Sequence, residues 1–109
     1  MSSTQTLEKS VFGRRLRQVR TQAGIPQYQL GILAGLEESS SSARISRYES
    51  GMYMPSPNFV SKLSVVLNVP AVYFYCADDR LANLILLYHQ FPEKHRKALH
   101  KFANELVER

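Results

Sequence analysis

Gln27-Tyr28-Gln29-Leu30-Gly31-Ile32-Leu33-Ala34-Gly35-Leu36, followed by Ala43-Arg44-Ile45-Ser46-Arg47-Tyr48-Glu49-Ser50-Gly51, is the stretch that decides the fold. It reads as two short helices joined by a turn. The first closes at a glycine just past its apolar repeat, and the second sets small and basic side chains on one face before another glycine stops it. Directly upstream, Arg14, Arg15, Arg17 and Arg20 are the ionisable residues between Val11 and Leu36, with no acid among them. A short helix with such a face, beside a basic segment, suits the major groove of double-stranded DNA.

The surrounding chain reads as further helices. Phe12, Leu16, Val19 and Ala23 recur at helical intervals, and Gly24 can take the left-handed conformation that ends such a helix. Thr6 and Ser10 both offer an N-cap for it, with residues 1–6 expected as a disordered tail. The second helix starts at Pro26 or Gln27 and buries Leu30 and Leu33. Glu37-Glu38-Ser39-Ser40-Ser41-Ser42 forms a long polar turn leading to a serine N-cap, and the third helix spans about 42–50 with Ile45 and Tyr48 inward. Ala43, Arg44, Ser46 and Arg47 then face outward. After a loop at Met52-Tyr53-Met54-Pro55, Ser56 and Pro57 open a fourth helix striped by Phe59, Leu63, Val66 and Leu67. Asn68 suits a left-handed end, and Pro70 opens a short fifth helix in which Val72, Phe74 and Tyr75 cover the core.

Composition bounds what such a chain can be. At 109 residues and 44% hydrophobic content it can bury one modest core, which argues against a multidomain enzyme. The lone Cys76 cannot form an intramolecular disulfide, and Met1-Ser2-Ser3-Thr4-Gln5-Thr6 has neither a basic nor an apolar export region, so a reducing cytoplasm is expected. The longest apolar run, Leu84-Ile85-Leu86-Leu87-Tyr88, is far short of the roughly 20 residues that span a bilayer, and no membrane role is expected. A net charge of +5 permits nucleic-acid binding. Catalysis would have to come from Cys76, His89, His95 and His100, which lack ligand spacing, so no enzyme activity, metal, cofactor or small-molecule ligand is expected.

Arg20 followed four residues later by Gly24, then Gln27, Leu30, Gly35, the run Ile45-Ser46-Arg47-Tyr48-Glu49 with Gly51, Pro55, and Leu67-Asn68-Val69-Pro70 resemble the Cro/C1-type (Xre-like) helix-turn-helix family in order and spacing. The resemblance covers about residues 11–75 and implies an all-α, five-helix lambda-repressor-like bundle, here with two additional C-terminal helices. One departure matters most: Gly35 precedes Ile45 by four residues more than in the usual pattern, so 37–42 looks like an insertion, which loop-closure entropy tolerates. By carry-over, Ser42, Ala43, Arg44, Ser46 and Arg47 fall on base-reading positions, Ala43 through apolar contact such as with a thymine methyl. Gln27 corresponds to a backbone-gripping glutamine, its alternative being a simple cap. Arg20 and Glu49 match a structural ion pair, with Arg20 also near a phosphate. The family often carries a lysine after Gly51 that Met52-Tyr53-Met54 lacks, leaving phosphate contact there to Tyr53 or to backbone N–H groups.

The last third of the chain has another character. Leu81, Leu84, Ile85, Leu87, Tyr88 and Phe91 cover a wide arc of one helix, and Leu99, Phe102, Ala103 and Leu106 stripe another. These helices either pack back onto the bundle or form a two-fold interface; a homodimer through residues 77–109, chiefly Leu81, Leu84, Ile85, Tyr88 and Phe91, would suit a palindromic operator. The DNA-binding unit is then 7–76. The rival from another class is a protein-interaction module, such as an antitoxin or coregulator that holds a partner through the same helices.

Overall fold

The computed structural model describes the backbone from residue 3 and the side chains from residue 7 through to residue 109. Six α-helices and one 3-10 turn follow in order, with no strand among the described residues: α1 (Ser3–Gln22), α2 (Gln27–Leu33), α3 (Ser41–Glu49), α4 (Pro57–Leu67), the 3-10 turn (Ala71–Tyr75), α5 (Asp79–Gln90) and α6 (Glu93–Glu108). The first four helices and the 3-10 turn make the expected five-element bundle, and α5 and α6 are the two additions.

The core is built where apolar spacing meets shape. Phe12, Leu16 and Val19 of α1, Leu30 of α2, Ile45 and Tyr48 of α3, Val60 and Leu63 of α4, and Tyr73 and Phe74 of the 3-10 turn are all buried in one cluster. Each fully buried side chain of this kind removes enough apolar surface from water to contribute about 1.5–3 kcal/mol. Several positions depart from the spacing argument. Leu33 is exposed, because Ala34, a full turn after Leu30, takes the inward place. In α4 Leu63 and Val60 are the buried residues, with Phe59, Val66 and Leu67 at the edge of the cluster. In the 3-10 turn Val72 and Tyr75 are exposed while Tyr73 and Phe74 go in, since three residues per turn shift the inward face from that of an α-helix.

Element ends explain the remaining differences. α1 runs through both expected caps, Thr6 and Ser10, and begins at Ser3; residues 3–6 of the expected tail are helical backbone, while Met1 and Ser2 lie outside the described residues. The insertion is absorbed ahead of α3, which starts at Ser41, not Ser42. No serine hydroxyl caps it: Ser41 is buried and its Oγ donates to the carbonyl of Tyr28 at 2.6 Å, tying α3 back to α2. Ser56 does cap α4, accepting from the N–H of Phe59 at 3.2 Å, and Asn68 ends that helix at φ 54°.

Part of α5 belongs to the core. Ala82 is 1% exposed, and Ile85 and Leu86 pack against the same cluster, so the boundary drawn at 76/77 passes through packed structure. The joint before α5 is held by α1. Arg15, 2% exposed, donates from Nε to the carbonyl of Cys76 (2.8 Å) and from one terminal nitrogen to the carbonyl of Ala77 (3.2 Å) and Oδ1 of Asp79 (2.8 Å). Arg14 reaches the same Oδ1 at 2.7 Å. The hydrogen bond from Arg14, then that from Arg15, holds the Asp79 carboxyl below the usual carboxylate range. Because that value is depressed, the interaction is complete at neutral pH and is lost only as pH falls through the lowered value.

At the far end, Phe91 and Pro92 break the chain between α5 and α6, and Arg96 turns back to donate to the carbonyls of Tyr88 (3.0 Å) and His89 (2.6 Å), capping α5. α6 itself buries no residue. The molecule is accordingly long, 54 × 33 × 22 Å, with a radius of gyration of 15.8 Å against about 13 Å for a compact domain of this length.

α1 and α3 approach so closely at Gly13 that a Cβ there would stand 2.7 Å from the carbonyl oxygen of Tyr48 and nearer still to that of Glu49. Alanine in a helix interior ordinarily gains about 1 kcal/mol over glycine. Here the obstacle is backbone, so Gly13→Ala should instead lower the unfolding free energy by about 1–3 kcal/mol in urea titration. An unchanged or higher midpoint would show that α1 and α3 can part without loss.

Candidate nucleic-acid interface

α3 presents one face to the core and the other to solvent. Ser41, Ile45 and Tyr48 are buried, and Ser42, Ala43, Arg44, Ser46 and Arg47 are exposed. At 3.6 residues per turn, Ala43, Ser46 and Arg47 stand opposite the buried row, with Ser42 and Arg44 on the flanks. All five residues expected to read bases are thus brought to one continuous surface.

The two arginines are not equivalent. Arg44 lies over Tyr48, donating to its hydroxyl at 2.9 Å with the guanidinium carbon 5.9 Å from the ring centre. Arg47 extends without such a brace. Both line a hollow of about 360 Å³ together with Tyr48, Tyr53 and Met54, so Tyr53, expected at the phosphate backbone, shares the rim with the basic face. Gly51, at φ 80°, turns the chain to put it there: the N–H groups of Met52 and Tyr53 fold back onto the carbonyl of Arg47 at 3.0 and 3.4 Å.

Behind this face sits a polar lock. Arg20 and Glu49 form an ion pair through two contacts, Nε to Oε2 and a terminal nitrogen to Oε1 at 3.0 Å, and the other terminal nitrogen reaches the carbonyl of Ile25 at 3.0 Å. Their side chains are 12% and 5% exposed. Gln27 completes it, its amide donating to Oε1 of Glu49 at 3.0 Å. The ion pair is therefore present where it was expected. No side chain caps α2; one N–H of the Gln27 amide holds Glu49, and a primary amide has a second N–H beside it.

The basic footprint of α1 is smaller than its arginine count. Arg14 and Arg15 are spent on the 76–79 joint and Arg20 on Glu49, which leaves Arg17, among these four, as the exposed arginine outside those ion pairs. The inserted turn adds Glu37 and Glu38 beside the start of α3, and Glu38 accepts from the hydroxyl of Tyr28 at 3.4 Å.

Two supports were missed by apolar spacing. Gly31 lets α2 and α3 touch, since a Cβ there would overlap the Ser41 side chain. A glycine inside an otherwise helical pattern was the available signal for it. Tyr48 was read as core only, and its hydroxyl turns out to steer Arg44.

With this geometry in place, the comparisons with known proteins are specific. The model of the helix-turn-helix domain matches residues 11–72, more than half of the chain. The chain belongs to the helix-turn-helix domain family. A solved structure, that of transcriptional regulator BswR, is 40% identical in sequence and superimposes with a TM-score of 0.85, covering 88% of this chain and 95% of that one. A match of that extent takes in residues beyond 72, so the likeness reaches beyond the helix-turn-helix domain itself. No curated protein matches the chain. Among the described residues no helix is long and apolar enough to cross a membrane, and no three His, Cys, Asp or Glu side chains gather as a metal site.

Glu49→Ala would strand Arg20 in a largely buried setting and leave Gln27 without its acceptor. Removing one partner of such a pair costs about 3–5 kcal/mol, and thermal or urea unfolding should show a loss of that order. A loss below about 1 kcal/mol would mean that the helix-turn-helix domain does not rely on this lock.

Proposed function

We propose that this chain is a DNA-binding transcriptional regulator of the Cro/C1 type that acts in the cytoplasm as a repressor, seating α3 in the major groove of an inverted-repeat operator as a homodimer. The observation that carries the reading is the α3 surface: Ala43, Ser46 and Arg47 opposite the core, with Ser42 and Arg44 beside them. Small residues let the helix enter the groove, and an arginine guanidinium matches guanine O6 and N7. Arg47 is free to make that bond, whereas Arg44 reaches a base or phosphate from a direction set by Tyr48. Gln27, Arg20 and Tyr53 are the proposed backbone contacts. Family membership and the likeness to transcriptional regulator BswR support the same assignment.

The dimer is supported by the outer side of the added helices. Leu81, Leu84, Tyr88, Phe102 and Leu106 are all exposed, and a hollow of about 500 Å³ between α5 and α6 is lined mostly by apolar residues, with His89, Arg96 and His100 among them. Ile85 and Phe91, expected at the same interface, are half-buried, Ile85 against the core and Phe91 edge-on to the His95 ring. The interface is therefore assigned to Leu81, Leu84 and Tyr88. An apolar face of that kind calls for a partner, and a second copy gives the two-fold symmetry that an inverted repeat demands.

Arg17, Arg44 and Arg47, exposed and outside the ion pairs described above, set the expected salt response. Six neutralised phosphates in a dimer give a slope of log affinity against log salt on the order of −5, read by fluorescence anisotropy on the duplex selected from a random pool. A slope near zero, or no enriched duplex at all, would overturn the DNA-binding reading in favour of a protein-interaction module. Arg47→Ala should cost about 1–3 kcal/mol on the selected duplex and little on random DNA. Leu84→Asp should sediment as a folded monomer where the natural chain is a dimer; a natural chain that is monomeric at micromolar concentration would rule the dimer out.

A further inference from the structure

We propose that Arg14 and Arg15, acting through Asp79 and the 76–77 carbonyls, are positioning residues that set the angle at which α5 leaves the bundle, and with it the half-site spacing that the dimer accepts on DNA. The inference rests on the dimeric reading above. Its basis is the crowding of directional bonds at one joint: three residues separate the 3-10 turn from α5, and the Arg15 guanidinium takes the carbonyls of Cys76 and Ala77 and the carboxylate of Asp79 together. Gln18 braces the same guanidinium at 3.0 Å, and Tyr73 lies under it with the ring centre 5.7 Å away. Arg14 adds a second fork onto Asp79 and Ala77.

Packing alone would not fix this angle. Ala82, Ile85 and Leu86 hold α5 to the bundle by apolar contacts, which have no direction of their own. A buried guanidinium contributes geometry more than net stability, since an apolar side chain of similar volume would fill the space at no desolvation cost. The placement gives that geometry a use: Leu81, the first residue of the outward apolar row, is two residues beyond Asp79. A rotation at the joint therefore swings the dimer face relative to α3. In a rigid dimer the second half-site is engaged at high effective concentration at one spacing only, and a loose joint lowers and broadens that optimum.

The test uses the full chain and the inverted repeat it selects from randomised duplex, with the spacer lengthened or shortened one base pair at a time, each step moving a half-site by about 3.4 Å and about 34°. The natural chain should lose about tenfold or more in affinity one base pair from the optimum. Arg15→Met, and separately the pair Arg14→Gln with Asp79→Ala, should flatten that penalty to about threefold or less while remaining dimeric and binding a single half-site as before. A variant that merely destabilises the fold weakens every duplex by the same factor and leaves the profile unchanged. A variant profile that matches the natural one overturns the proposal while the dimeric reading stands. A natural chain indifferent to spacing overturns the proposal, and only its sedimentation as a monomer overturns the dimeric reading as well. The Arg14 and Asp79 side chains are largely exposed, at 45% and 78%, so the double variant decides the matter if Arg15→Met fails to fold.

Discussion

The carbonyl oxygen of Glu49 occupies the place where a side chain at position 13 would begin, and much of the architecture follows from that contact. With no Cβ on α1 to hold them apart, α3 settles directly on its backbone. The carboxylate of Glu49 then falls under Arg20, whose guanidinium also holds the carbonyl of Ile25 at the start of α2, and Gln27 closes the group from α2 itself. Three helices are thereby related by directional bonds, while Gly31 and Ser41 press the second against the third from the other side. A face that must meet base edges needs this kind of restraint, because apolar packing by itself allows sliding.

Arginine, not merely positive charge, is what α1 requires. Arg15 distributes its N–H groups among a side-chain amide, two carbonyls and a carboxylate, and Arg20 divides its own between a carboxylate and a carbonyl. A planar fork with five donors can do this, and the single ammonium of lysine cannot. Charge density along the chain is thus a poor guide to charge density on the surface: the run that looks like a DNA footprint is for the most part internal scaffolding.

Glycine, proline and asparagine punctuation placed the helix breaks to within a residue or so from α2 onward, and the Ile45 and Tyr48 spacing oriented α3 correctly. The Arg20–Glu49 pair was legible only through family resemblance, since nothing in residue spacing links positions 29 apart. What escaped were features decided by tertiary contact. Leu33 has the right hydrophobicity for a core position, yet a smaller alanine one residue on occupies it. The 3-10 turn buries Tyr73 because its period is not that of an α-helix. Whether Ile85 faced the core or solvent could not be read from an apolar arc wide enough for both, and the arc proves to be divided between the core and an exposed face.

α6 buries no residue fully, and most helical stability in proteins comes from tertiary packing of an amphipathic face. In a dimer built on this face, the order of the arm becomes a matter of mass action: it is complete only where a second copy covers it, and its stability varies with protein concentration. The abundance of the chain then enters twice, once in forming the pair and once in occupying DNA. Such a regulator would respond to its own expression level more steeply than a monomer with the same contacts.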